Sequence, residues 1–550
     1  MVLKVNPQKQ RVRKSTETFA INYKEEKMQT KLRTSLLVGL VVLFTVGCLS
    51  AGNIAAQQRD VIVIGSTDAP AEISPANSYD YPTWHMFRQT TRGLVQLAPE
   101  TAEVTGALAK DWEYSDDSTT LTWHLRDGVT FTDGAECDCE AIKWSLERAF
   151  RLDGPKGGVY VLNPGNIEEM VCEDDTTLRM ELKRPDATFV SRYVNIPGFA
   201  FSPKSTPEDE FAKGRFAGVG PYKLVDYEPG VRAVYEAYED FYGPQPKTKL
   251  VIERFYSTGS ALRLALESGE IDVAYRTFNP SDIPDMEQDP NINVVKGGTS
   301  LSVRYNVFNV SLPPFDDKRV RQAISYAVDR EALSEKVFGG MNAPLYTMVP
   351  KGLWSHKETY PKRDLEKARE LLREAGYSED NKLEITLWYT PKHYGPTEAD
   401  AATVEAASIE ETNMVDVEVK SQEWGAYLTS MSEQGTFGFF LLGWYPDFLD
   451  PDNFLAPFLT ESPESNGTFF NKHPKYEELD EMLTEAKTTI GEEERTQYYE
   501  QAQELIADEV PLLPLWANTF QHVAAAKPNV KGVVLDASMN FRDWLIYKEE

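Results

Sequence analysis

Residues that could do covalent or metal chemistry are scattered along the 550-residue chain. The six histidines contain no pair at the spacing of metal ligands, and no G-x-S-x-G, Walker A or H-E-x-x-H motif occurs. Cys137 and Cys139 are too close for a zinc C-x₂₋₄-C pair, and no second pair follows downstream. We therefore expect no metal and no cofactor. A hydrolase that uses two of the many carboxylates as acid and base is a weaker alternative.

The four cysteines are too few for a disulfide-rich scaffold in a chain of this length. Cys172 precedes a predicted strand, and one of Cys137 and Cys139 could pair with it in an oxidising compartment. We take Cys139 and Cys172 as the candidate pair. The sequence leaves the other pairing and a fully reduced set open.

A second group of candidates is the acidic run that contains Asp447, Asp450 and Asp452. It resembles a calcium loop only weakly, because the glycine and the terminal glutamate of that motif are missing. The segment 450–453 is instead typical of a turn whose aspartate caps a following helical segment at 454–459.

Composition limits the kinds of partner. The chain has 57 Lys and Arg against 86 Asp and Glu, which gives a formal net charge of −29. Such a surface repels a phosphate backbone and an anionic membrane, so we expect no nucleic-acid partner. A hydrophobic fraction of 41% rules out general disorder, and the length allows about two to four domains.

The N-terminal extension, residues 1–56, has the pattern of a targeting signal. Residues 35–49 are almost wholly apolar and follow Lys27, Lys31 and Arg33. The run is too short for a stable membrane span and matches a signal-peptide core. Cys48 ends a lipobox-like segment and is the candidate for lipidation, whereas cleavage within 51–56 or an uncleaved anchor are the alternatives. Each places the body outside the cytoplasm, with the membrane contacted only through an N-terminal lipid or signal anchor. Met28 is a second candidate start.

The elements that must position these residues fall into two groups. Before residue 300, periodicity predicts a helix over 140–150, a hairpin of 121–125 with 129–131, and strands over 60–66, 178–182, 231–238 and 249–256. After residue 300 it predicts a helix that follows 313–317, has its apolar face at 320–328 and is capped by Asp316 or Asp317. It also predicts helices over 365–375 and 401–411, and strands over 301–310, 383–389, 415–419 and 437–444. This alternation favours an α/β lobe with a largely parallel sheet.

We therefore predict two lobes. Lobe I covers 57–305 in two subdomains, lobe II covers 306–515, and residues 516–550 return to lobe I. A chain that crosses twice between lobes forms a hinge and a cleft, which is the usual place for a ligand.

Five ordered segments carry a family resemblance: 218–224, 314–333, 360–377, 443–455 and 510–516. The chain resembles family 5 solute-binding proteins, the extracytoplasmic dipeptide, oligopeptide and nickel receptors of ABC importers. The resemblance implies an α/β, two-lobed, three-subdomain periplasmic-binding-protein fold of type II, with mixed sheets and an interlobe cleft. It further implies a monomer that binds a peptide and delivers it to permease subunits. An oligosaccharide or another solute, a chaperone or signalling role, and an exported hydrolase are the alternatives.

The resemblance also assigns ligand-binding residues. It implies that Asp447 holds the α-ammonium of a peptide, and the alternative is a turn cap. It places Trp444 and Tyr445 as pocket walls and brings Trp424 and Tyr427 to the cleft, although aromatic residues beside a strand end are equally typical of a core.

The carboxylate anchor is where the sequence departs from the family pattern. Dipeptide-binding members carry an arginine in the loop after the strand at 383–389, and this chain has none there. Lys392 or His393 could substitute as a point charge, without the fork of a guanidinium. Arg276 and Arg304 are further cationic candidates, and a surface ion pair is the alternative for each.

Overall fold

The computed structural model describes residues 60–549 except 71, 100, 102, 155, 156, 299 and 537–540. Cys48 and the rest of the extension therefore lie outside the described residues. Three larger sheets organise the described part of the chain, which we call the first, second and third sheet.

The first sheet has seven strands, in spatial order Asn293–Lys296, Val523–Ala526, Val273–Tyr275, Val61–Ser66, Leu250–Phe255, Arg232–Ala237 and Tyr222–Glu228. The second sheet has six, in the order Ala343–Pro344, Leu512–Ala517, Val303–Phe308, Phe439–Trp444, Leu383–Tyr389 and Val415–Ser421. The third sheet has four, in the order Ala109–Tyr114, Thr120–Leu125, Thr177–Leu182 and Ile167–Asp174. Two short ribbons pair Val95–Leu97 with Val104–Gly106, and Val530–Lys531 with Tyr547–Lys548.

The α-helices pack against strands of these sheets or against one another, and those predicted at 140–150 and 365–375 bury their apolar sides. Their bounds are Tyr81–Thr90, Cys139–Leu152, Phe189–Arg192, Gly259–Ser268, Ile283–Gln288, Lys318–Ala327, Arg330–Phe338, Leu365–Glu374, Glu398–Glu410, Trp424–Ser432, Tyr476–Thr488 and Glu492–Glu509. Among the described residues, no helix is both long enough and apolar enough to cross a membrane.

Several local predictions are confirmed. The β-branched run at 60–66 is a central strand, Val61–Ser66, with a parallel neighbour on each side. The helix Leu365–Glu374 is followed by Gly376 in the left-handed region, with a φ of 97°, as a C-terminal glycine should be.

Two predictions are wrong, whereas the helix predicted after 313–317 is confirmed as Lys318–Ala327, capped by the side chain of Asp317. The strand Thr120–Leu125 does not pair with 129–131, because both of its edges are already occupied by Ala109–Tyr114 and Thr177–Leu182. The second sheet is mixed rather than largely parallel, because its strand Val303–Phe308 has antiparallel neighbours on both sides.

The last segment of the chain returns to the first sheet. After the strand Leu512–Ala517 of the second sheet, Val523–Ala526 pairs antiparallel with Val273–Tyr275 and Asn293–Lys296. We call the first and third sheets with their helices the first-sheet lobe, and the second sheet with its helices the second-sheet lobe.

Candidate functional site

The edges at which strands of both lobes end face a common cavity. In the first sheet, Thr67 and Arg276 directly follow the parallel strands Val61–Ser66 and Val273–Tyr275. In the second sheet, the loop after Leu383–Tyr389 and the residue after Phe439–Trp444 follow another parallel pair. Carboxyl ends of parallel strands meet at one edge, which is where ligands bind in open α/β sheets. The result is a cavity of about 380 Å³, the cleft cavity, lined by Thr67, Asp68, Ser257, Thr258, Gly259, Arg276, Thr277, Phe278, Asn279, Pro391, Lys392, His393, Tyr394, Gly395, Pro396, Tyr445 and Gln521.

Arg276 supplies the buried positive charge of the cleft cavity. Its Nε lies 2.8 Å from Oδ2 of Asp68, and its guanidinium carbon lies 4.2 Å from the ring centre of Tyr81 and 5.1 Å from that of Tyr445. Burial opposes the charge, but Asp68 and the tyrosines raise the pKa of Arg276 above its usual value. Its Nη1 is buried and has no hydrogen-bond partner among the described residues. The guanidinium therefore retains a donor for an incoming anion.

Lys392 and His393, which follow the strand Leu383–Tyr389, are candidates to provide a positive charge to the site, and neither does so in the structure. His393 stacks on Trp424 with ring centres 3.7 Å apart, and burial together with the charges of Arg304 and Arg276 lowers the pKa of His393 to about 4. It is therefore neutral at pH 7 and cannot act as a point charge. The side chain of Lys392 is 81% exposed and lies 3.8 Å from Glu423, which makes it a solvated surface cation.

Asp447 is buried beside the cleft cavity and does not line it; the residue is 5% exposed. Its carboxylate accepts a hydrogen bond from the hydroxyl of Tyr79, and its backbone oxygen accepts one from Nδ2 of Asn195. Burial raises the pKa of Asp447 to about 6, while the hydrogen bonds of Tyr79 and Asn453 lower it. At pH 7 Asp447 is therefore mostly ionised, and residues of both lobes contact it.

The turn after Asp447 is capped by another residue. The side chain of Asp450 accepts a hydrogen bond of 3.0 Å from the backbone of Asp452, which confirms the predicted cap over 450–453. Asp450 also forms two hydrogen bonds of 2.8 Å with Arg495. The cap of this turn is therefore Asp450 and not Asp447.

The neighbouring aromatic residues have different roles. The indole of Trp444 donates to Oδ1 of Asn453 at 3.1 Å, and the backbone N–H of Asp447 donates to the same oxygen at 2.9 Å. Trp444 therefore fixes the backbone that presents Asp447. The Tyr445 ring lines the cleft cavity, and its hydroxyl donates to Oε1 of Gln521 at 2.8 Å.

Two candidates lie in the core instead of the cleft cavity. Arg304 is 1% exposed, hydrogen-bonds to the carboxylate of Glu398 and lies 3.9 Å from the ring centre of Tyr394. Tyr427 is fully buried, and its hydroxyl donates to the backbone oxygen of Leu441 at 2.8 Å. The polar groups of both residues form hydrogen bonds within the second-sheet lobe.

Sequence reasoning missed the first-sheet side of the site: Asp68, Tyr79, Tyr81 and Gln521. Asp68 follows the first strand, so its place at the carboxyl edge was a usable signal. Gln521 comes from the segment that leaves the second sheet, and nothing in its local sequence marks it.

The candidate disulfide joins Cys139 and Cys172, with their Cα atoms 5.8 Å apart. Cys137 is buried as a free thiol, and burial raises its pKa. Within the described ranges, no group of three or more His, Cys, Asp or Glu is arranged to hold a metal ion.

Comparison with known proteins gives a consistent picture. The family described as bacterial extracellular solute-binding proteins, family 5, middle, matches residues 103–466. The dipeptide-binding protein of Escherichia coli (strain K12) is 28% identical over 522 residues, covering 88% of this chain and 93% of that protein. Heme-binding protein A of Haemophilus influenzae is 29% identical over 543 residues, covering 92% and 97%.

A solved structure supports the same fold. The ABC transporter-associated periplasmic binding protein DppA from Helicobacter pylori, in complex with the peptide STSA, is 26% identical and has a TM-score of 0.75. The alignment covers 90% of the present chain and 100% of the Helicobacter pylori chain. The expected α/β, two-lobed periplasmic-binding-protein fold of type II, with mixed sheets and an interlobe cleft, is confirmed.

Proposed function

Because the chain belongs to the bacterial extracellular solute-binding proteins of family 5, we propose that it captures a short peptide in the cleft cavity and delivers it to the permease subunits of an ABC importer. The family consists of extracytoplasmic binding proteins and not of enzymes. The similarity to a dipeptide-binding protein and to a peptide-bound structure supports a peptide over an oligosaccharide.

The observation that carries this proposal is the arrangement of charges at the cleft cavity. A peptide has an ammonium at one end and a carboxylate at the other. Arg276 lines the cavity with an unpartnered donor, and Asp447 lies beside it as a buried carboxylate. A cavity of about 380 Å³ falls within the range of small-molecule sites. Because Arg276 and Asp447 come from different lobes, a ligand that binds both stabilises the closed form.

The remaining candidates have supporting roles in this proposal. Tyr445 forms an aromatic wall, and Trp444 holds the loop that presents Asp447. Trp424 fixes the neutral ring of His393, which offers a hydrogen bond in place of a charge. Arg276 replaces the arginine that the loop after Leu383–Tyr389 lacks.

The wider organisation is also part of the proposal. Lobe I over 57–305, lobe II over 306–515 and the return over 516–550 are supported by the strand Val523–Ala526 in the first sheet. We propose a monomer, exported by its N-terminal signal and tethered through Cys48.

Two charge cycles test the function. Calorimetry on Asp447→Asn with a free-amine and an N-acetylated dipeptide isolates one end, and Arg276→Gln with a free-acid and a C-amidated dipeptide isolates the other. Each substitution should weaken binding of the matching charged peptide by about ten- to a hundredfold, because a charge-assisted hydrogen bond contributes roughly 1.5–3 kcal/mol. The blocked peptides should bind weakly to the unsubstituted protein and lose little more.

The controls are Asp416→Asn and Arg254→Gln, which break exposed ion pairs with Lys382 and Glu270. If the coupling energy between protein charge and peptide charge is zero at both ends while the variants remain folded, another solute such as an oligosaccharide becomes the leading ligand hypothesis. Mass spectrometry of ligand that co-purifies and is released on denaturation would then identify it. A ligand that is returned chemically altered would favour the hydrolase.

A further inference from the structure

The carboxylate proposed to bind a ligand ammonium already has a hydrogen-bond donor from the opposite lobe. The hydroxyl of Tyr79 donates to Oδ1 of Asp447, across 368 positions of sequence. Tyr79 lies two residues before the helix Tyr81–Thr90 of the first-sheet lobe, and Asp447 follows the strand Phe439–Trp444 of the second sheet. This contact therefore forms only when the two lobes are together.

The Tyr79 ring is held in position by its own lobe. It packs edge-on against Trp84, with ring centres 5.2 Å apart, and contacts the ring of Tyr160 at 5.8 Å. Gly158 lies against the same ring, and a Cβ there would clash with it. Burial, followed by the charge of Asp447, raises the pKa of the Tyr79 phenol well above its usual value. The hydroxyl is therefore protonated at neutral pH and acts as a donor to Asp447.

Other contacts between the lobes do not use the Asp447 carboxylate. Asn195 binds the backbone oxygen of Asp447, and Arg192 lies 3.3 Å from Asp452. The lobes can therefore remain together while the carboxylate exchanges one donor for another.

We propose that Tyr79 sets the affinity of the ammonium position: its hydroxyl occupies that position on Asp447 until a cationic ligand group displaces it. This rests on the proposed function. A phenol gives Asp447 one hydrogen bond, whereas an α-ammonium gives hydrogen bonds and an opposite charge, so it displaces the phenol. An N-acylated ligand has only a neutral amide there, cannot displace the phenol and leaves the hydrogen bond between Tyr79 and Asp447 intact. The competition therefore lowers the affinity for ligands with a free amine and leaves the affinity for N-acylated ligands unchanged.

The test begins with the contact in the unliganded protein. Thermal unfolding of Tyr79→Phe, Asp447→Asn and the double variant should give non-additive shifts in melting temperature, because the two side chains interact directly. The comparison set is Tyr346→Phe with Glu331→Gln, which removes a tyrosine–carboxylate bond of 2.5 Å within the second-sheet lobe. Additive shifts for Tyr79 and Asp447 alone would overturn the inference and leave the proposed function standing.

The second arm measures ligand choice with alanyl-leucine and its N-acetyl form. Tyr79→Phe should bind alanyl-leucine about tenfold or more tightly, because no hydroxyl has to be displaced, and should bind the N-acetyl form as before. Tyr346→Phe should change neither affinity. Unchanged or weaker binding of alanyl-leucine by Tyr79→Phe would overturn the inference, since the hydroxyl would then not compete with the ligand. If neither peptide binds any variant, the proposed function fails and the inference fails with it.

Discussion

The charge state of a single residue, Asp447, links burial to function. Its pKa is about 6 in the folded protein, above the ordinary value of 3.8, because burial disfavours the ionised form. A carboxylate with a raised pKa contributes stability that is fully present below 3.8 and is lost as the pH rises through about 6. The same residue must be ionised to hold an ammonium. Acid therefore favours the unliganded fold at this position and opposes the ligand.

A pH dependence of binding follows from this opposition. Affinity for a free-amine dipeptide should fall by about tenfold between pH 7 and pH 5, because Asp447 takes up a proton in that interval. The peptide ammonium stays charged there, since its pKa is about 8. Calorimetry from pH 5 to pH 7 measures the effect, and Asp447→Asn should bind with little change over the interval. An equally steep decline in that variant would assign the titration to another group.

For single residues, the sequence predicts which side chains belong to the candidate site better than it predicts their protonation states. It singles out Arg276 from its place after a strand, and the family resemblance singles out Asp447 and the loop that contains His393. It does not predict that His393 is neutral, because this depends on the Trp424 ring and on two arginines that are distant in sequence. Tyr79 is missed for the same reason, since its partner Asp447 is 368 positions away.

For secondary-structure elements, the features that depend on nearby residues are predictable from the sequence, whereas those that depend on distant segments are not. The strand Val61–Ser66 and the helix Leu365–Glu374 are predictable because side-chain periodicity and end signals lie within the segment. The pairing of Thr120–Leu125 is not, because one of its partners, Thr177–Leu182, lies some fifty residues later. The mixed second sheet likewise depends on Leu512–Ala517, which arrives at the end of the chain.

The disulfide gives a prediction about elements. Cys139 begins the helix Cys139–Leu152 and Cys172 lies in the strand Ile167–Asp174, so the bond closes a loop with a sequence separation of 33. Cys172→Ala should lower the free energy of unfolding by about 2–4 kcal/mol, because the unfolded chain gains conformational freedom. Urea denaturation with and without dithiothreitol measures the loss.

The matched control is Cys137→Ala, which removes the free buried thiol and keeps the disulfide. That variant and the unsubstituted protein should lose stability in dithiothreitol, whereas Cys172→Ala should not lose more. If dithiothreitol destabilises Cys172→Ala as strongly, the bond in solution does not use Cys172; if Cys137→Ala is insensitive to dithiothreitol, the bond uses Cys137.

At the scale of the whole molecule, closure depends on contacts between lobes that lie apart from the cleft cavity. The guanidinium of Arg192 lies 3.3 Å from Asp452 and 4.3 Å from the ring centre of Phe448. Nearby, the backbone N–H of Ala187 donates to the backbone oxygen of Lys487 at 2.8 Å. These groups are buried only when the lobes are together, so they bias the open–closed equilibrium without choosing the ligand.

Arg192→Lys tests this separation of closure from selection. Lysine keeps the positive charge and loses the planar guanidinium that contacts both Asp452 and Phe448. Affinity for free-amine and N-acetylated dipeptides should fall by the same factor, roughly five- to tenfold, because less of the protein is in the closed form. Solution scattering should show a larger radius of gyration for the unliganded variant and a larger decrease on binding. Arg254→Lys, at an exposed pair on the first sheet, should leave both quantities unchanged. A change in the ratio of the two affinities would instead mean that Arg192 acts on the Asp447 carboxylate itself.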